Sequence, residues 1–179
     1  MDRGGKHSGF SQRLKRLAGQ IDALTAKDER NIHHAREIAS LRRQASVELH
    51  GTCAEFVRQV NQFLTGAEMT LDPPEFFAER FQEEGTNLFQ INIRGRILQI
   101  EFGATEELMS TEDFRVPYIL EGLIHAFNQE LLEKNLIEEQ LLFFTVEDDR
   151  RMWRFFDART YRSGPFDLEY LLSLMERLL

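Results

Sequence analysis

Phe10, Leu14, Leu17, Ile21 and Leu24 follow one another at spacings of four, three, four and three. Two turns of an α-helix take up about seven residues, so these side chains fall on one stripe, the a/d pattern of a heptad helix. In the same register the stripe continues through Asp28, Asn31, Ala35, Ile38, Arg42, Ala45 and Leu49. Nine of the twelve positions are apolar, and Asp28 and Arg42 are poor seam residues. No proline interrupts the stretch. An unbroken helix from Gly9 to Leu49 would be about 60 Å long. Isolated helices are marginal in water, so the stripe needs a second surface. A second copy of the same stripe supplies one, in a coiled-coil dimer. A helical hairpin turning near Lys27 to Asn31, with Asp28 capping its second helix, supplies the other. The dimer is favoured, with Phe10, Leu14, Leu17, Ile21, Leu24 and Ile38 as its interface.

After Gly51, Thr52 and Glu55 form a Thr-x-x-Glu capping box, which predicts a separate helix carrying Phe56, Val57, Val60, Phe63 and Leu64 and stopping at Gly66. Phe76, Phe77 and Phe81 suit a further short helix. A strand pattern follows. With Arg94 and Gly95 as turn residues, Ile93 faces Arg96, Ile91 faces Leu98 and Phe89 faces Ile100. That register collects Phe89, Ile91, Ile93, Leu98, Ile100 and Phe102 on one face of a hairpin. Arginine is not the ideal first residue of a two-residue turn, so a loop one residue longer is an alternative. Gly103–Asp113 is polar and reads as a loop.

The stretch from Pro117 to Lys134 fits two periods. As a helix it stripes Ile119, Leu120, Leu123, Ile124, Phe127, Leu131 and Leu132; as a strand its dense apolar run and Gly122 are explained. The helix is preferred. A second hairpin is expected from Leu141–Val146 and Met152–Asp157 around a charged turn. Asp167 can cap a last helix bearing Leu168, Leu171, Leu172 and Met175. The fold expected is therefore α+β: a long N-terminal helix, coiled-coil-like or hairpin, then an antiparallel sheet of at least four strands packed with helices.

Charge sharpens this division. Residues 1–46 hold ten Lys/Arg against five Asp/Glu, and residues 47–179 hold twelve against twenty-five. A basic helical arm (residues 1–50) thus precedes an acidic α+β domain (residues 51–179), for a net charge of −8 over 179 residues. Such an arm can meet nucleic acid, with Arg3, Lys6, Arg13, Lys15 and Arg16 as phosphate contacts, or an acidic surface. The acidic remainder would repel phosphate. A single cysteine excludes an internal disulfide framework. No apolar run approaches membrane-spanning length, no signal-peptide pattern opens the chain, and no Asn-x-Ser/Thr acceptor is present. A cytoplasmic protein without a membrane partner is the expectation.

The sequence lacks the phosphate-loop, dinucleotide, zinc-protease, serine-hydrolase and calcium-loop motifs. His33 and His34 are adjacent, so on a helix they point about 100° apart and do not share a metal readily. His125 and the other histidines have no partner at ligand spacing. Cys53 would sit in the first turn of a helix, where a thiol can be activated, but a small structural residue is the preferred reading. Glu106, Glu107, Glu112 and Asp113, and Glu147, Asp148 and Asp149, fall in expected loops, where solvated charges are ordinary. Trp153, Phe155, Phe156, Tyr161, Phe166 and Tyr170 alternate with Arg154, Arg159 and Arg162. That mixture can clamp single-stranded nucleic acid, but a core with arginines on its outer face is preferred.

No catalytic, cofactor-binding or metal residue is assigned, and no cofactor is expected. The function expected is a non-enzymatic oligomeric interaction module, a dimer by preference, whose body presents a surface to an unidentified protein. A nucleic-acid-binding protein using the basic arm is the first alternative. An enzyme whose site is assembled from scattered residues is the second.

Overall fold

A computed structural model describes residues 5–109, 114–128 and 138–179. In chain order the elements are α1 (Gly5–Asn61), β1 (Thr70–Asp72), a 3-10 turn (Ala78–Arg80), β2 (Asn87–Ile93), β3 (Arg96–Met109), β4 (Tyr118–Asn128), β5 (Glu138–Glu147), β6 (Arg150–Asp157), β7 (Arg162–Pro165) and α2 (Leu168–Leu178). Among the described residues seven strands form one antiparallel sheet in sequence order. The fold is α+β, as the pattern predicts. The chain divides into two compact units, Met1–Ser40 and Leu41–Leu179. Among the described residues no helix is long and apolar enough to cross a membrane.

α1 is one helix, which corrects two expectations. It runs unbroken through Asp28, so the hairpin turn near Lys27 to Asn31 does not form. It also runs through Gly51 and Thr52, so no separate helix starts there. The threonine hydroxyls near both points bond carbonyls of their own helix. Thr25 Oγ1 donates to the Ile21 carbonyl at 2.9 Å and Thr52 Oγ1 to the Glu48 carbonyl at 3.1 Å. Glu55 is held by Arg58 and Gln59 instead of reaching back to the Thr52 backbone. Gly51 is exposed and costs helix propensity without ending the helix. α1 stops at Asn61, whose side-chain amide bonds both backbone groups of Met69 at 2.8 Å and turns the chain back.

In the second unit one side of the helix becomes buried, keeping the heptad register through Leu49 and then passing to Cys53, one residue beyond the next heptad position. Arg42, Ala45, Leu49, Cys53 and Phe56 are buried, with Ser46, His50 and Val57 beside them. This stripe lies on one face of the sheet. Trp153 Nε1 donates to the Ala45 carbonyl at 2.7 Å, and the His50 ring packs edge-on against Phe89 at 5.2 Å. The Arg42 guanidinium donates to the Ile119 carbonyl at 3.0 Å, to the Thr105 carbonyl and to the Glu83 carboxylate. The sheet's opposite face carries a separate cluster of Phe114, Tyr118, Phe143 and Phe156 with Val116 and Leu141.

The first hairpin has the expected register, with Phe89 opposite Ile100, Ile91 opposite Leu98 and Ile93 opposite Arg96. Its loop is two residues long. Arg94 (φ 52°) and Gly95 (φ 83°) both take left-handed backbone, the conformation of a primed turn, and Asn92 Oδ1 accepts from the Gly95 amide at 3.0 Å. β3 runs on to Met109, so the stretch read as a loop from Gly103 is strand to that point; 110–113 lie outside the described residues. Phe76, Phe77 and Phe81 flank a single 3-10 turn rather than a helix, because Phe77 and Phe81 are both extended.

The preference for a helix over 117–134 is overturned across its described part, which is strand β4; Leu131 and Leu132 lie outside the described residues. β4 is central and is apolar on both faces, so its run mimics a helical stripe. A skip in its pairing with β5 between Tyr118 and Leu120 also buries Tyr118, Ile119 and Leu120 in succession. The second hairpin closes on Glu147 opposite Arg150, and Asp167 caps α2 by accepting from the Tyr170 amide at 2.9 Å.

Gly122 lies opposite Phe102, and a Cβ there would stand 2.1 Å from the Glu101 carbonyl oxygen and 2.8 Å from Phe102 Cβ. Gly122→Ala should therefore destabilise the protein by about 1–3 kcal/mol in urea unfolding. A Cβ at Gly51 would meet nothing within 4 Å. Gly51→Ala should stabilise by about 0.5–1 kcal/mol in the same measurement.

Candidate interaction surface

In the unit Met1–Ser40 the five leading stripe residues are large, apolar and open to solvent. Phe10 is 61% exposed, Leu14 50%, Leu17 53%, Ile21 53% and Leu24 59%. Ile38, the sixth expected interface residue, is half-buried. Every residue between Gly9 and Glu37 is exposed. A helix with this composition gains stability chiefly by burying its apolar side, and large contiguous apolar exposure marks an interaction surface.

Arg13, Lys15 and Arg16 are exposed on the same stretch of α1. Arg3 and the side chain of Lys6 lie outside the described residues. Local support along the arm includes an i,i+4 pair, His33 Nδ1 to Glu37 at 3.6 Å, with both side chains mostly exposed. Such a contact adds only a few tenths of a kcal/mol.

The other sequence candidates separate. Cys53 is fully buried under the sheet, and burial pushes its thiol pKa up to about 12. It is inside α1 rather than at a helix start, so the dipole that would activate it is absent. His50 is buried, bonds the Pro73 carbonyl through Nε2 at 2.8 Å and stacks on Phe76, a structural arrangement. His33 and His34 are exposed, and His125 lies on β4. Among the described residues no three His, Cys, Asp or Glu side chains converge as metal ligands.

Glu147, Asp148 and Asp149 are exposed at the β5–β6 turn, and Glu106 is exposed on β3. The side chain of Glu107, and Glu112 and Asp113 altogether, lie outside the described residues. Trp153, Phe156 and Phe166 are buried in the body, while Tyr161 is exposed. Three of the six aromatics are thus core, while Phe155 and Tyr170 are half-buried.

Sequence reasoning missed a smaller apolar patch on the second unit. Phe63 is 85% exposed and borders a shallow groove of about 340 Å³ between Phe56, Val60, Leu168 and Leu172. Its helical spacing from Phe56 suggested a buried stripe position. The helix ends at Asn61, two residues too soon to place it there. No family model, curated protein or solved structure matches the chain.

Burial makes the Cys53 thiol inert. Iodoacetamide should alkylate the folded protein at least about a thousandfold more slowly than the urea-unfolded chain at pH 8. Mass spectrometry of quenched aliquots measures both rates.

Proposed function

We propose that this chain is a non-enzymatic interaction module that self-associates through the N-terminal part of α1, as a dimer, and offers its α+β body to a protein partner. One observation carries the reading: Phe10, Leu14, Leu17, Ile21 and Leu24 recur at heptad spacing and each is at least half exposed. A seam of this kind loses its exposure when it meets its own copy, because knobs of one helix fill holes of the other. The apolar area removed from water contributes roughly 25 cal/mol per Å² before the cost of association.

A basic-arm reading, in which the chain binds nucleic acid, rests on Arg13, Lys15 and Arg16, three cations exposed within four residues. The surplus of acid over the rest of the chain opposes it, since phosphate is repelled by a like-charged body.

Sedimentation equilibrium of the full chain distinguishes the two. Wild type should be dimeric at about 50 µM, and Leu17→Asp/Ile21→Asp should be monomeric at the same concentration with the near-UV signal of Trp153 unchanged. A wild-type chain that sediments as a monomer there overturns the proposal. Oligonucleotide binding that weakens steeply with salt and disappears when Arg13, Lys15 and Arg16 are neutralised would favour the second reading.

A further inference from the structure

A groove of about 700 Å³ runs between the β5–β7 side of the sheet and α2, within the second unit. Gln140 of β5 lines it. This residue is 3% exposed, and among the described residues its Nε2 has no hydrogen-bond partner. A buried amide donor left without a partner is unfavourable, and an acceptor placed in the groove would satisfy it.

One wall is aromatic. Phe155 and Tyr170 stack with ring centroids 3.8 Å apart and planes 1° from parallel. Gly164 lets Phe155 lie over β7, since a Cβ there would stand 2.9 Å from the ring. The rim is acidic, with four carboxylates (Asp157, Asp167, Glu169 and Glu176) against two guanidinium groups, Arg162 and Arg177. Asp167 is engaged as the α2 cap, and Asp157 accepts from the Arg159 amide at 2.9 Å. Glu169 and Glu176 stand exposed on α2.

The geometry points to a binding site for a basic residue of a peptide. In it the ammonium or guanidinium meets Glu169 and Glu176, the alkyl stem lies on the Phe155–Tyr170 wall, and a backbone carbonyl accepts from Gln140 Nε2. Each element answers one feature of the groove. An excess of carboxylate selects a cation, a flat ring pair suits an amphipathic stem and its charge, and the buried donor requires an acceptor that a bare cation lacks. The volume is in the ordinary range for a small-ligand site. The inference is independent of the arm.

Calorimetric titration of the full chain tests it, with acetyl-Gly-Arg-Gly-amide, acetyl-Gly-Glu-Gly-amide and methylguanidinium as probes. The arginine peptide should bind with Kd on the order of 0.1–1 mM, and the glutamate peptide at least about tenfold more weakly. Methylguanidinium, which has no carbonyl, should also bind about tenfold more weakly than the arginine peptide. Glu169→Gln/Glu176→Gln should weaken the arginine peptide about fivefold or more, and Gln140→Leu should weaken it to the level of methylguanidinium. Should Gln140→Leu fail to fold, the exposed double variant decides. No binding of the arginine peptide at about 5 mM overturns the proposal. Equal binding of the glutamate peptide or methylguanidinium, or indifference to the double variant, does the same.

Discussion

Arg42 sets the position of the body's helix on its sheet. A guanidinium cannot lose its charge, so burying one requires partners for its fixed fork of donors. Glu83 supplies a carboxylate from the loop before β2, and the carbonyls of Ile119 and Thr105 supply the rest. Those carbonyls come from the place where the ladder between β3 and β4 loses register, between Ala104 and Met109 on one strand and Leu120 and Tyr118 on the other. Backbone groups in an irregular stretch need partners outside the regular ladder. The arginine and the irregularity therefore answer each other. One needs acceptors in a buried place, and the other presents them there.

From that anchor the remaining contacts of α1 follow by helical period. Ala45, Leu49, Cys53 and Phe56 come round to the same side. Alanine at position 45 lets the backbone come close enough for Trp153 Nε1 to reach its carbonyl. The sheet beneath is apolar where the helix lies, and its rings interlock. Phe89 meets Phe102 at 5.2 Å, Phe102 meets Trp153 at 5.4 Å, and Trp153 meets Phe144 at 5.4 Å. These edge-to-face and tilted contacts give the core directional preference beyond area burial. On the other face, Phe114 stacks on Phe143 at 4.5 Å, so β4 has apolar neighbours on both sides.

Two-sided burial explains where the sequence was legible. The first hairpin could be read in register because only one of its faces is strongly apolar, and period two then leaves one solution. The last helix was legible from Asp167 and its amphipathic spacing. β4 was not, because a strand with apolar residues on both faces has no period-two signature. β1 and β7 are three and four residues long, and Arg162–Pro165 holds no apolar alternation, so pairing with the neighbouring strand decides their state. The false helix start at Thr52 shows the limit of local motifs. The residue types fit a cap, but tertiary burial of Leu49 and Cys53 on either side holds the helix through it. The arm's stripe was fully legible, since it depends on spacing alone. The groove beside α2 was not, because it unites residues 140, 155, 169 and 176, which only the folded sheet and helix bring together.

Arg42 also explains why one heptad register can have two fates. As a seam residue between two helices it would place a cation opposite its own copy and destabilise the pair. As a helix-to-sheet residue it finds a carboxylate and two carbonyls. The register is thus unsuited to a helical partner from the point where the sheet becomes available, and suited to one between Phe10 and Leu24, where every stripe position is apolar. Gly9 and Gly19 weaken the helix there, and contacts such as His33–Glu37 restore little. On the proposed self-association, an arm of low intrinsic helix stability with an unbroken apolar seam would couple its order to a second copy. Association and helix formation would then be one equilibrium, set by chain concentration rather than by the fold of the body.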